Sequence, residues 1–350
     1  MPTREELKLY QSLPLEIKIA KTQLRILEWA KKFGQNGIYV SFSGGKDSTV
    51  LLHLVREMFP EVEAVFVDTG LEYPEVREFA KSFENVTVLR PKMSFVKVIQ
   101  TYGYPIISKD VAQTIEEAKI CLERQNGSYK SRLDRLNSTG IYTPKNGVRS
   151  RYDISKYKPL LDVDFKISAK CCKEMKKSPA MKFEKYTKKT AILGTMAEES
   201  ALRCQRWLKY GCNAFESKNR QTSNPLSFWT EQDILRYIKK NKLKIASVYG
   251  EIVPKNQQLA FDCFACEENL CTTGCHGTGC VFCGFGVHLE HGENRFQRLK
   301  RTHPKLYQYC IFGGAYDSDG LWKPDKNGLG MGHVFDALNK IYGDNFIKYE

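Results

Sequence analysis

An α/β fold built around a doubly wound, mostly parallel sheet is what this sequence predicts, and three observations carry that reading. Short apolar runs rich in β-branched residues alternate with stretches of helical spacing, the pattern that builds parallel sheets through right-handed crossovers. One such run, Tyr39-Val40-Ser41-Phe42, feeds a paired-glycine turn, Ser43-Gly44-Gly45-Lys46-Asp47-Ser48, which opens directly into a helical pattern. The chain of 350 residues, 42% hydrophobic and 12% aromatic, can bury a full core in one or two domains.

Taken in order, the apolar positions Ile17, Ala20, Leu24, Leu27 and Ala30, with Ile19 and Ile26 beside them, predict an amphipathic helix over 15–33. It is expected to pack on the sheet that begins at Ile38. Beyond the glycine turn, Leu51, Leu52, Leu54, Val55 and Met58 mark the buried side of a helix that stops before Pro60. Residues 62–67 read as a strand running into Asp68-Thr69-Gly70, and strand ends of open parallel sheets are where ligands bind. Pro74 suits the first turn of a helix reaching about Phe83, and 86–89 is a third strand. A helix follows over 111–122, and 191–194 is a further buried strand leading to Glu199, Ser200 and Arg203. Thr230 with Asp233 three residues later forms an N-cap arrangement, and Ile234, Leu235 and Ile238 make the apolar side of the helix it starts.

Between 125 and 160 the chain turns polar and basic, with Lys130, Arg132, Arg135, Lys145, Arg149, Arg151, Lys156 and Lys158 against only Asp134 and Asp153. This reads as a solvated, mobile insertion; the alternative is a surface that tracks an RNA or DNA backbone, its charges interleaved with Tyr129, Tyr142, Tyr152 and Tyr157. The net charge of +14 points to an anionic partner, which a nucleotide, an oxyanion or a nucleic acid would satisfy. No apolar run approaches the roughly 20 residues of a membrane span and the first residues do not read as a signal peptide, so no membrane partner and a cytoplasmic setting are expected. Twelve cysteines in a reducing compartment argue for metal or cluster ligation rather than disulfides.

The glycine turn is the chemical centre of the sequence. Paired glycines let a backbone approach an anion closely, and the first N–H groups of the following helix are unsatisfied donors with partial positive charge. Lys46 adds a point charge, and Ser41, Ser43 and Ser48 add hydroxyls. It is not a Walker A loop, because the first glycine of that spacing is missing and Asp47 stands where Ser or Thr should follow the lysine.

At these residues the chain resembles the PP-loop adenine-nucleotide enzymes, the adenine nucleotide alpha-hydrolase-like group. The Ser43–Ser48 loop, Asp68-Thr69-Gly70, Glu199-Ser200 with Arg203, and Asn224-Pro225-Leu226 through Trp229-Thr230 to Asp233 resemble, in the same order, blocks of the phosphoadenylyl-sulfate and adenylyl-sulfate reductase family. The likeness runs over roughly 35–285. It implies that Ser41 and Ser43 to Ser48 hold phosphate or sulfate oxygens of ATP, adenylyl sulfate or its 3′-phosphorylated form, with Mg²⁺ as counter-ion. Asp68, Thr69 and Gly70 would line the nucleotide pocket, and Lys46 and Arg203 would act catalytically on the anionic end. Two departures stand out: Met196 replaces a further arginine, and the final residues Asn345 to Glu350 lack the cysteine that the reductases carry near their C-terminus. The last thiol, Cys310, reads as a buried core residue.

Adjacent Cys171-Cys172 and the C-x-x-C of Cys280 and Cys283 are similar to the ligand set of a [4Fe–4S] cluster in adenylyl-sulfate reductases and DNA phosphorothioation enzymes. Four thiolates suit soft iron, and neighbouring lysines would offset the cluster's charge. Cys263, Cys266, Cys271 and Cys275, spaced C-x2-C-x4-C-x3-C, fit a small zinc site with His276 as an alternative ligand. Cys263 and Cys266 could equally join Cys280 and Cys283 in a zinc ribbon.

The domain reading is an N-terminal helical segment over 1–34, a nucleotide-binding α/β domain over 35–245 and a cysteine-rich metal-binding region with tail over 246–350. Three functions follow from it. The first is sulfonucleotide reduction or sulfur transfer beside a cluster, drawing on a thiol or sulfur-donor protein. The second is ATP-dependent sulfuration of nucleic acid through substrate adenylylation, and the third a non-catalytic nucleotide sensor or nucleic-acid-binding subunit.

Overall fold

The computed structural model describes residues 2–125, 127–217, 220–255 and 269–350. They form two compact units that interleave along the chain. The first is Met1–Asp68, Glu72–Arg90 and Pro179–Gly279; the second is Thr69–Leu71, Pro91–Ser178 and Cys280–Glu350.

The first unit is built on a five-stranded parallel sheet in the order Val86–Leu89, Ala64–Val67, Ile38–Ser41, Thr190–Leu193, Thr222–Ser223. The chain winds outward from Ile38–Ser41 in one direction, then returns to add strands on the other side. The order therefore reverses at this central strand, and the crevice at its C-terminal end is the place where open α/β sheets bind ligands. Alternation of side chains sends Ile38, Val40 and Phe42, with Ala64, Phe66 and Ile192, into a large core with Leu51, Leu54, Trp29 and Trp229. Tyr39, Val65 and Ala191 face the other way, onto Phe183 and Leu193. On that second face the Tyr39 hydroxyl donates to Glu184 over 2.8 Å, and Arg220 pairs with the same carboxylate.

The predicted first helix is present as Leu15–Phe33, but its buried side is only partly the expected one, sharing Ile26 and Ala30 with it. Ile17, Leu24 and Leu27 remain about half exposed, while Lys18, Thr22, Ile26, Trp29 and Ala30 are buried. Polar residues reach the core because their partners are supplied there: Lys18 meets Asp233 at 2.6 Å, and Thr22 accepts from Trp229 Nε1 at 2.8 Å. The Thr230–Asp233 capping box forms as expected and starts the helix Glu231–Asn241, with Ile234, Leu235 and Ile238 buried.

The second unit draws together segments that are distant in sequence. Residues Pro91–Ser178, which a linear reading attaches to the nucleotide-binding segment, pack with Cys280–Glu350. Ile106–Ile107 pairs in parallel with Gly284–Phe285, a long-range register that local periodicity does not encode. The basic stretch is more ordered than a solvated insertion. It contains the helix Lys130–Asn137, and Leu136, Tyr157 and Leu160 are buried. Its Arg135 is also buried, chelating Asp110 at 2.7 and 3.1 Å and donating to the Tyr152 carbonyl at 3.0 Å. Among the described residues no helix is long and apolar enough to cross a membrane.

Candidate functional site

In the first unit, the strand Ile38–Ser41 ends in the glycine turn, and the helix Lys46–Met58 begins at Lys46 with Gly45 as its N-cap. Gly44 adopts φ 72°, and a Cβ there would lie 2.7 Å from the Val76 carbonyl oxygen, so only glycine fits. The turn is braced from inside by its serines. Ser43 N–H donates to Ser48 Oγ at 3.1 Å, the two hydroxyls lie 3.0 Å apart, and Ser48 Oγ donates to the Gly45 carbonyl at 2.9 Å. Ser43 and Ser48 thus shape the loop as well as offering hydroxyls to a ligand. Gly194, at the end of the neighbouring strand, allows the chain to approach: a Cβ there would sit 3.2 Å from the Asp47 carbonyl.

Lys46 is buried and heavily engaged. Its ammonium donates to the His276 carbonyl at 2.8 Å and lies 3.2 Å from a Glu231 oxygen and 3.6 Å from Asp47 Oδ1. Burial works against its charge, but the Asp47 and Glu231 carboxylates outweigh this and hold its pKa above the ordinary lysine value. Asp47 is pushed up, mainly by burial, with Lys46 opposing. Arg203 is the third residue of the helix Ala201–Tyr210 and pairs with Glu199. It is close enough to Asp47 to interact electrostatically, while burial draws its pKa down. Tyr249, His276, Thr278 and Glu231, none marked by the sequence pattern as loop partners, complete this environment. His276 and Tyr249 act through a carbonyl and a hydroxyl, so residue type alone gave little sign of them.

The strand-end trio is split by the fold. Asp68 belongs to the first unit and is buried, with Oδ2 bound by Arg77 at 2.8 Å and Lys81 at 2.6 Å. Its Oδ1 is buried and has no hydrogen-bond partner among the described residues. Thr69 and Gly70 fall in the second unit, where Thr69 Oγ1 accepts from Leu71 N–H at 3.1 Å and Gly70 takes φ 72°.

The second unit gathers the four cysteines predicted to act together. Cys171, Cys172, Cys280 and Cys283 line one cavity whose remaining walls include Leu71, Phe95, Pro105 and Met175. Cys171 and Cys172 sulfurs are 4.0 Å apart, and the helix continues beyond them through a π-helical turn, Lys173–Lys177, a distortion often found at functional sites. The Cys171 thiol hydrogen-bonds Cys172, pushing Cys172 down and Cys171 up, and Lys109 and Lys176 further favour a Cys172 thiolate. Soft donors in an apolar pocket with two adjacent cations are a donor set that fits an iron–sulfur cluster. Among the described residues no three Cys, His, Asp or Glu side chains are close enough to share a single metal ion.

Of the second cysteine group, Cys263 and Cys266 lie outside the described residues. Cys271 stands on the strand Leu270–Thr272 and Cys275 is buried after it. Cys310 is fully enclosed, and burial drives its thiol far above the ordinary range, so it is a core residue as expected.

A parallel sheet whose central strand ends in a braced glycine loop at a helix N-terminus defines an α/β protein of the PP-loop type. The sequence profile of the phosphoadenosine phosphosulfate reductase domain matches residues 37–106 and 128–284, more than half of the chain. The chain belongs to that family, within the PP-loop superfamily. It is 29% identical over 89 residues to adenosine 5′-phosphosulfate reductase of Bacillus cereus, covering 24% of this chain and 38% of that one. It is 34% identical over 140 residues to phosphoadenosine 5′-phosphosulfate reductase of Xanthomonas oryzae, covering 36% and 54%. The chain thus spans about two fifths to one half of the length of these curated relatives. Among solved structures it is similar to the phosphoadenylyl-sulfate reductase from Candida auris in its phosphate complex, at 16% identity and a TM-score of 0.35, covering 71% of this chain and 91% of that one.

Proposed function

We propose that the chain binds an adenine nucleotide at the Ser43–Ser48 loop and processes sulfur as a sulfonucleotide reductase. The observation that carries the sulfur chemistry is the convergence of Cys171, Cys172, Cys280 and Cys283 on one cavity. The Lys109 and Lys176 cations beside Cys172 would offset the negative charge of a cluster held by four thiolates, which is the support for placing one here. When bound, a [4Fe–4S] cluster supplies one-electron redox chemistry and a polarising metal centre. We assign Cys271 and Cys275, with Cys263 and Cys266, to a separate structural zinc site on their spacing.

In the reaction proposed, a thiolate attacks the sulfur of bound adenylyl sulfate or its 3′-phosphorylated form. A sulfur–sulfur bond forms, the sulfur–oxygen bond breaks, and its electron pair leaves on the phosphate of the AMP-type product. Lys46 and the N-terminal amides of its helix stabilise the charge growing on that phosphate, with Mg²⁺ as counter-ion, and Arg203 turns from Glu199 to the anionic end. A second thiol then releases sulfite and leaves a disulfide. Cys310 is too deeply enclosed to attack, and a donor protein is the source we propose for both thiols.

A second reading, ATP-dependent sulfuration of nucleic acid, is favoured by the exposed cations Lys145, Arg149 and Arg151. The two separate in one assay on anaerobically purified protein with a dithiol donor. Sulfite release from adenylyl sulfate or its 3′-phosphorylated form supports reduction. Pyrophosphate release from ATP that depends on tRNA or DNA supports sulfuration, and nucleotide binding without either turnover removes both.

A further inference from the structure

The ammonium and the backbone N–H that Lys46 would offer to a phosphate are both engaged by the protein itself. The Lys46 ammonium donates to the His276 carbonyl at 2.8 Å and pairs with Glu231 at 3.2 Å, while Asp47 Oδ1 lies farther off at 3.6 Å, an electrostatic neighbour without a hydrogen bond among the described residues. The Lys46 backbone N–H, the first of its helix, donates to the Tyr249 hydroxyl at 3.2 Å. That hydroxyl in turn pairs with Thr278 Oγ1 at 2.7 Å. Residues 274–278 are pinned at their start as well, with Gly274 N–H donating to the Tyr249 carbonyl and Cys275 N–H to the Val248 carbonyl, both at 2.9 Å. A Cβ on Gly45 would lie 3.2 Å from the Tyr249 hydroxyl and 3.4 Å from Thr278 Oγ1, so both groups sit directly over the glycine turn.

We propose that residues 274–278 form a strap, latched by Tyr249 and Thr278, that occupies the phosphate cradle and must be displaced when a nucleotide binds. The proposal rests on the phosphate-loop reading above. A helix N-terminus with a lysine attracts oxygen acceptors, and here a hydroxyl, a carbonyl and carboxylates stand where phosphate oxygens would go. A phosphate brings more charge than a carbonyl, so it competes for Lys46. It cannot share that ammonium with the Glu231 carboxylate without like-charge repulsion, so Glu231, whose side chain is 44% exposed, swings outward as the strap lifts. The apparent affinity for nucleotide is then the intrinsic affinity reduced by the fraction of molecules with the strap open.

Two conservative variants remove the latch without removing bulk: Tyr249→Phe and Thr278→Val. Binding of ATP and of adenylyl sulfate is measured by calorimetry on the full chain, with hydrogen exchange at Gly274 and Cys275 followed in parallel. A strap closed nine-tenths of the time gives variants that bind about tenfold more tightly. Nucleotide would also accelerate exchange at both amides in the wild type. If the wild type binds and the variants bind equally or more weakly, the strap is overturned while the phosphate-loop reading stands. If neither the wild type nor either variant binds any of these nucleotides, the loop reading falls and the strap falls with it.

Discussion

Lys18 and Asp233, 215 positions apart in sequence, form an ion pair at 2.6 Å whose side chains are only 2% and 4% exposed. Lys18 also donates to the Gln11 carbonyl at 2.6 Å, and Asp233 also accepts from Thr230 N–H at 2.7 Å. The pair therefore ties the helix Leu15–Phe33 to the cap of the helix Glu231–Asn241. Lys18→Met is expected to destabilise the protein by about 3–5 kcal/mol, because it leaves a buried carboxylate without its countercharge. Adding Asp233→Asn, which keeps a capping oxygen but removes the charge, should recover part of that loss. Urea unfolding of the single and double variants measures both.

Gly44→Ala tests the loop geometry. The left-handed backbone and the Val76 carbonyl 2.7 Å from the added methyl leave no room for a side chain. The expected cost is roughly 1–3 kcal/mol of stability, with nucleotide affinity lowered by tenfold or more as the turn deforms. Thermal unfolding and nucleotide titration of the variant read the two effects separately.

Iron content partitions the cysteines. Cys172→Ser and Cys283→Ser should each abolish most of the iron bound after anaerobic purification, whereas Cys271→Ser should keep it and lower zinc instead. Metal analysis beside the absorbance of the brown chromophore checks this, and zinc alone in the wild type would contradict it.

Asp68 predicts an acid limb to stability. Burial opposes its charge, but hydrogen bonds from Arg77 and Lys81 win and hold its carboxyl below the ordinary range. The folded state therefore binds a proton less readily than the unfolded one. The stabilisation is complete above the unfolded carboxylate value, near pH 4, and is lost as pH falls through the lower folded value. Denaturant midpoints of wild type and Asp68→Asn should differ most at pH 5–7 and converge below about pH 4.

Much of this molecule was legible where the controlling interactions are local. The glycine turn, the strands about Val40 and Val88 and the Thr230–Asp233 cap are written in neighbouring residues. The helix Leu15–Phe33 was legible as a helix but only partly in its orientation. Counting apolar positions selects Ile17, Leu24 and Leu27, whereas the partners that bury Lys18 and Thr22 come from Asp233 and Trp229. The contacts of the phosphate loop were hidden for a different reason. A backbone carbonyl such as that of His276 carries no sequence mark, and Tyr249 looks like any core tyrosine. The four cavity cysteines could be grouped through family likeness, while spacing alone left two divisions of Cys263 to Cys283 open.

The central strand Ile38–Ser41 takes one of its two neighbours from Thr190–Leu193. On a ribosome adding about 5–20 residues per second, the first strand waits roughly 7–30 s for that neighbour to be synthesised. For that interval one side of an apolar strand is open to pairing with whatever passes. Nascent chains are thus most vulnerable to aggregation while residues 42 to 190 are being made, and slowing translation across that stretch should lower the yield of folded protein even though no residue has changed.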